Sequence, residues 1–339
     1  MFKAVFMIVS LWIGVVSANP PPSLDMSRWM EHLADTIQDR SLTELFLPGS
    51  HDSATYKLEH KFGKNQDITS KLNTLRYALL GFGVTKVVQT WSQAQNRSII
   101  QQLEDGVRYL DLRIIYRDSK KQFYTVHGLY GPSLKDVLSQ INQFLHHHPQ
   151  EIIVIQVGDL RYMPHGDNDH HALIAKFKEA FGNRLISKSD GLALPIKTLW
   201  GHEKQVVLIY KKDDIAAAYN EIFPRKSLDD YWANADNVST LKIKLDAHLK
   251  GRQFNPHQLY VIQSQMTPAT NTITASLKPF SKGYKSLHQM AAAVQKEFPQ
   301  WLNEWHAYGP AIVLVDFINK DIARQIVQLN MLQQPARIA

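Results

Sequence analysis

The chain has 339 residues, 44% hydrophobic and 20% charged, a globular composition that excludes a disordered, collagenous or low-complexity protein. It has no cysteine, which excludes disulfide frameworks, thiolate-bound zinc, iron–sulfur clusters and thiol nucleophiles. Its 38 basic and 31 acidic residues give a net charge of +7 with His neutral, which favours anionic partners without separating nucleic acid, anionic lipid and phosphate esters.

In chain order, one cation, Lys3, precedes an apolar run over 4–16, and Val16-Ser17-Ala18 offers the small residues that signal peptidase prefers. The run is shorter than the roughly 20 residues of a membrane span. A secretory signal peptide over 1–18, cleaved after Ala18, is therefore expected, with a soluble, secreted mature chain, extracellular or periplasmic. A Pro-rich linker at 19–22 follows, and no composition break divides the rest, so one domain over 23–339 is expected.

From there a short apolar strand followed by an amphipathic helix repeats. Strands are predicted at 44–50, 107–115, 123–127, 151–157, 205–210, 258–264 and 311–317, and helices at 98–104, 134–147, 170–181, 241–249 and 286–307. The runs EIIVIQV, QVVLIY and AIVLVDF are apolar on both faces, as parallel strands covered by helices on both sides must be. Seven strands and an obscure eighth predict an α/β fold, a barrel rather than an open sheet. The turn after the first strand, Pro48-Gly49-Ser50-His51-Asp52, has no Gly-rich phosphate loop, which argues against a dinucleotide site. Residues 56–93 are too long for a simple βα connection; the apolar stretch within them, 75–88, reads equally as a lid or membrane-contact element and as a barrel helix.

The titratable residues fall at or near strand ends: His51 and Asp52 after the first strand, Asp111 and Arg113 on the second, His127 on the third, Asp316 on the last. In a barrel those ends converge on one mouth. Burying so many charged groups together is costly unless they pair or bind something. Two histidines on different strands can serve as base and acid from opposite sides of a reacting atom, with carboxylates setting their tautomers and an arginine fork holding a phosphoryl oxygen. Substitution at a phosphodiester fits that set. A metal site is the competing use of the same histidines and aspartates, and Arg113 among them argues against a cation.

Other polar clusters have plainer readings. His146, His147 and His148 end a helix, where cations are favoured and neighbours point apart. His165, Asp167, Asp169, His170 and His171 form a polar loop in which Asp169 or a neighbour is expected to cap a helix. Trp91 reads as core rather than as a bilayer anchor.

LPGSHDSATY at 47–56, QTWSQAQNRSIIQQLEDGVRYLDLRI at 89–114, VHGLYG at 126–131 and AIVLVDFIN at 311–319 together resemble the X domain of phosphatidylinositol-specific phospholipase C, in its bacterial-type members and related X-domain-containing proteins. The resemblance implies a distorted, imperfectly closed (β/α)8 TIM-type barrel. It implies cleavage of the bond between phosphate and diacylglycerol by the inositol 2-hydroxyl, giving an inositol cyclic phosphate. By motif position, His51 matches the family's general base, oriented by Asp316; His127 matches the general acid, working with Asp52. Arg113 would stabilise charge on the phosphate, and Asp111 would orient the cluster.

Calcium-dependent relatives carry Asn after the first His and Glu-x-Asp on the second strand. Here those positions read Asp52 and Asp111-Leu112-Arg113, so no cofactor, no metal and calcium-independent catalysis are expected. The head-group positions depart from the bacterial pattern. A Lys is replaced where the fourth strand runs into Gly158 and Asp159, Lys211 stands for an Arg, and Gln263 and Gln265 stand for an Asp and a Tyr. The implied substrate is phosphatidylinositol or a related inositol phospholipid, taken by a monomer in peripheral contact with anionic membrane, with no nucleic acid as partner. The competing readings are a catalytically silent phosphoinositide- or protein-binding barrel, and a metal-dependent glycerophosphodiesterase or phospholipase D-like enzyme.

Overall fold

The computed structural model describes residues 24–64, 83–278 and 280–332; the leader at 1–18 and residues 75–82 of the apolar stretch lie outside them. Among the described residues ten strands run β1 (Leu47–Ser50), β2 (Tyr109–Arg117), β3 (Gln122–His127), β4 (Leu129–Ser133), β5 (Ile153–Asp159), β6 (Val206–Tyr210), β7 (Ile222–Pro224), β8 (Leu228–Tyr231), β9 (Leu259–Gln263) and β10 (Ile312–Val315). Eight of them pair in parallel in the order β7-β6-β5-β2-β1-β10-β9-β8. The sheet curls into an open half-barrel. Its seam falls between β7 and β8, which follow one another in the chain through the turn Arg225–Ser227 and share no ladder among the described residues.

The barrel strands are buried on both faces because helices cover the outside and side chains fill the inside. Ile153, Val154, Ile155 and all of Val206–Tyr210 are buried. The helix Leu134–His147 turns Leu134, Val137, Leu138, Ile141, Phe144 and Leu145 inward at helical spacing, and Ser133 caps it. The helix Ile99–Glu104 starts at a Ser98/Gln101 capping box. At Gly49 on β1 a Cβ would lie 2.9 Å from Ile312 Cγ2, so a side chain there would push β1 off β10.

The eight-stranded barrel stands, but the strand inventory changes. The strand predicted at 123–127 is not a barrel strand: β3 pairs antiparallel with β2 and with β4, a hairpin folded over the barrel rim. The polar turn 118–121 is too short for the dozen residues a parallel crossover needs. The barrel is completed instead by β7 and β8, three and four residues long and lacking apolar runs. The helix predicted at 286–307 is two, Leu287–Gln295 and Phe298–His306, because Pro299 sits in the first turn of the second and supplies no N–H to continue the first. Residues Val84–Ser92 form a helix at the barrel mouth.

Candidate active site

The parallel ladder between β1 and β10 places their ends level, with Ser50 opposite Val315. One residue further on, His51 and Asp316 meet: Nδ1 of His51 is 2.7 Å from Asp316 Oδ1. Both turns are held by Gln95, fully buried, whose Nε2 donates to the His51 carbonyl at 2.9 Å and the Val315 carbonyl at 2.8 Å, while Oε1 accepts from Ile318 N at 3.2 Å.

Asp52 follows with φ of 43°, in the left-handed region, and its N–H donates to Asp111 Oδ2 at 3.2 Å. That turn drives the Asp52 carboxylate into the wall among cations. Oδ1 pairs with Arg113 Nε, and Oδ2 lies 3.4 Å from His51 Nε2 and 3.2 Å from His127 Nδ1. His127 reaches the group by its own route. β2 rises past the barrel, β3 turns back with Thr125 opposite Ile114, and its last residue returns to the mouth. There Nδ1 of His127 donates to the Ser92 carbonyl at 2.7 Å, at the end of helix Val84–Ser92, which leaves Nε2 as the free ring nitrogen.

The charges set one another. Burial alone would favour a neutral Asp52 carboxyl, but Arg113, His127 and His51 hold it below the usual range. Burial, with the Asp52 charge adding to it, pushes Asp111 up against the pull of Arg113. Burial keeps His127 below an ordinary imidazole despite Asp52. At His51 burial is outweighed by the Asp52 and Asp316 carboxylates, which raise it to about 9. A second fact pulls the other way: Arg113 Nη2 lies 3.1 Å from His51 Nε2, and a guanidinium can only donate, so that nitrogen carries a lone pair. The contact suits a neutral ring with its proton on Nδ1 towards Asp316, the form that the two carboxylates make the minor one below about 9. The raised value measures how strongly that lone pair takes a proton.

His51, Asp111, Arg113, His127, Asp159, Lys211, Gln263, Gln265 and Asp316 all line one cavity of about 510 Å³, with Asp52 buried behind its wall. Every residue that the sequence assigns to the site is thus in or beside one cavity. Asp159 pairs with Arg161 at 2.7 Å, and Gln265 Nε2 donates to Gln263 Oε1 at 3.0 Å. Sequence reasoning missed Gln95, Arg161, and the Arg225–Asp230 ion pair on the seam side of the mouth. It also missed Met266, Ile273 and Leu287, which complete an apolar wall with Val87 and Val88 of the 75–88 stretch and with Trp91, buried as expected. His51, Asp52 and Asp111 bring one ligand atom each within 4.8 Å of one another, a spacing that would suit a cation. Arg113 already occupies that set, pairing with Asp52 and facing His51 Nε2. The two decoys are structural, but the expected cap is not there: the helix Asp167–Phe181 begins at Gly166 with no side-chain cap, and Asp169, inside its first turn, accepts instead from His165 N–H at 2.8 Å, while the His148 ring lies 4.5 Å from Phe144.

Residues 85–212 match the family model for the phosphatidylinositol-specific phospholipase C X domain. The PI-PLC X domain-containing protein 2 of Homo sapiens is 32% identical, over 88% of this chain and 93% of that protein. The chain belongs to the PI-PLC X domain family. The Mus musculus protein of the same name is also 32% identical, over 93% of this chain and 92% of its own length. Two solved bacterial structures share the fold. A phosphatidylinositol-specific phospholipase C from Listeria monocytogenes superposes with a TM-score of 0.58 at 21% identity, over 90% of this chain and 98% of that one. One from S. aureus superposes with a TM-score of 0.62 at 17% identity, over 91% and 98%. This X-domain barrel therefore has relatives along nearly its whole length.

Proposed function

We propose that the protein is a metal-independent phosphatidylinositol-specific phospholipase C that releases diacylglycerol and an inositol cyclic phosphate. The observation that carries this reading is the placing of Arg113 between two imidazoles that share Asp52, at the wall of a cavity sized for a small ligand. Neutral His51, its Nδ1–H on Asp316, takes the proton of the inositol 2-hydroxyl on Nε2. The hydroxyl oxygen forms a bond to phosphorus, and the guanidinium of Arg113 takes up charge growing on the phosphoryl oxygens. The bond from phosphorus to the glycerol oxygen breaks, and a proton on His127 Nε2 passes to that oxygen. The bound phosphodiester anion favours the imidazolium that this step needs at His127. Exchange with water returns His51 to neutral and His127 to its charged form.

Metal independence is supported by the guanidinium standing on the His51, Asp52 and Asp111 donor set, because a cation there would displace it. The head group would meet Asp159, Arg161, Lys211, Gln263 and Gln265, an alternation of donors and acceptors suited to a polyol. Contact with an anionic bilayer is supported by the exposed Trp232, Leu277 and Phe280 and by the lysines at 278, 282 and 285. Among the described residues no helix is long and apolar enough to cross a membrane. Export by the 1–18 leader is part of the same proposal, and N-terminal sequencing of the mature chain starting elsewhere than residue 19 would reject it.

The deciding experiment is cleavage of phosphatidylinositol vesicles with and without EDTA. Equal release of inositol cyclic phosphate in both is expected. Loss of activity on chelation would reject the metal-free mechanism, and binding of the lipid without turnover would favour a silent phosphoinositide-binding barrel.

A further inference from the structure

We infer that the apolar half of the active-site cavity is a leaving-group subsite that takes the glycerol backbone and the first acyl carbons of the lipid; this deepens and rests on the phospholipase reading. The cavity lining divides by position. Beyond the His51, Asp111, Arg113, His127 and Asp316 cluster, its charged residues come from the ends of β5 and β6 and from the β7–β8 seam, with Asp159 and Lys211 among them. Most of its apolar residues come from a different quarter, with Trp232 the exception on the seam side: Val87, Val88 and Trp91 from helix Val84–Ser92, Ile273 from helix Thr270–Ser276, and Leu287 at the start of helix Leu287–Gln295, which packs on the first of these.

The link to chemistry is Ser92. Its carbonyl holds His127 Nδ1 at 2.7 Å, so the element that fixes the acid also carries the apolar wall. Val88 and Ser92 are four residues apart, as are Val87 and Trp91, which puts each pair on adjoining rows of one helix face. The group protonated by His127 is the leaving oxygen, and whatever is bonded to that oxygen extends from the His127 side of the phosphate. An inositol ring gains nothing from a wall of valine, isoleucine and leucine, whereas a glyceride buries methylenes there, each worth about fourfold in affinity. The polar and apolar halves thus match the two ends of one amphiphile, with Arg113 between them.

The test separates binding from turnover. In a His51→Ala background, calorimetry compares dihexanoylphosphatidylinositol below its critical micelle concentration with glycerophosphoinositol, which has the same head group and no acyl chains. The short-chain lipid is expected to bind at least about tenfold tighter, with the gap shrinking about fourfold on adding Val87→Ser or Ile273→Ser, both at half-buried positions. Equal affinities, or a gap that neither substitution narrows, would overturn the subsite. A chain with His51 intact that shows the gap but cleaves neither compound would support the subsite and overturn the phospholipase reading. Cleavage of both compounds with equal binding would do the reverse.

Discussion

His51 Nδ1 lies 2.7 Å from Asp316 Oδ1, and the two residues are the next rung of the β1–β10 ladder, one step beyond Ser50 and Val315. The pairing is therefore a property of the sheet register rather than of a loop, and a slip of one residue between the two strands would part the side chains.

That pairing sets a pH dependence. The proposed base acts only when neutral, and Asp52 and Asp316 raise His51 to about 9 against the effect of burial. Because His127 must be charged as well, and burial holds it below an ordinary imidazole, kcat/KM is expected to rise only at acid pH, hold level across the neutral range and fall above about 9. Asp316→Asn removes one of the two raising charges, so the limb near 9 moves to lower pH while the plateau falls through loss of the Nδ1 tautomer. A limb that stays in place in Asp316→Asn would dissociate His51 from the rate.

Arg113 bridges Asp52 and the lone pair of His51 and still faces the cavity, which one planar fork can do and an ammonium cannot. Arg113→Lys is expected to lower kcat by about two to three orders of magnitude. Steady-state kinetics on phosphatidylinositol vesicles, with circular dichroism to establish folding, measures it. Near-wild-type turnover would mean that charge alone is sufficient.

How much of this was legible in the sequence depends on length and face. β5 and β6 announced themselves because both of their faces are buried, so they read as unbroken apolar runs. β7 and β8 did not: Ile222–Pro224 is three residues ending in proline, and Leu228–Tyr231 carries two aspartates, of which Asp230 faces the cavity. The site residues on β1, β2 and β10 could be placed because a barrel gathers strand ends. His127 was assigned to the mouth for a reason that does not apply, since β3 is no barrel strand, and it arrives there by a hairpin turning back. Gln95 left no signal at all: a buried glutamine satisfying two backbone carbonyls of residues distant in sequence looks like any loop residue.

Asp52 is held at φ 43° with its carboxylate fully buried among three positive or protonatable groups. Asn occupies the left-handed region far more readily than Ala, by about 1 kcal/mol. Asp52→Asn should therefore melt above Asp52→Ala, and both below wild type, Asp52→Asn by about 3 kcal/mol, the low end for a broken buried pair because Arg113 is partly exposed. The lowered carboxyl of Asp52 contributes stability that is present above the ordinary carboxylate range and lost as pH falls through its folded value. Melting curves from pH 3 to 7 should show a shallower acid loss in Asp52→Asn than in wild type. An equal loss would assign the acid sensitivity to other carboxylates.

Gln95 tests whether the dyad needs its clamp. Gln95→Leu keeps approximate shape and removes the bonds to the His51 and Val315 carbonyls and from Ile318 N. The Val315 carbonyl keeps its bond from His51 N at 3.1 Å, but leaving the His51 carbonyl and the Ile318 N–H without Gln95 should cost about 1–3 kcal/mol of stability. A merely structural role would stop there. A positioning role predicts in addition a kcat lowered at least about tenfold with KM little changed, because displacement of the His51–Asp316 rung affects proton transfer more than lipid binding. An unchanged kcat in folded Gln95→Leu would reduce Gln95 to a structural support.

The mouth carries the last prediction. Phe280 is fully exposed, Trp232 is 54% exposed with its indole N–H on Thr267, and lysines flank Phe280 at 278 and 282. An aromatic ring in water gains on entering a bilayer interface, and the lysines add an attraction that salt screens over about 8–10 Å. Phe280→Ala is expected to weaken binding to anionic vesicles about tenfold, with the residual binding more salt-sensitive than wild type, because removing the apolar contact leaves charge to do the holding. Sedimentation with vesicles at low and high salt measures both. Binding unaffected by Phe280→Ala would move the membrane contact to another face of the barrel.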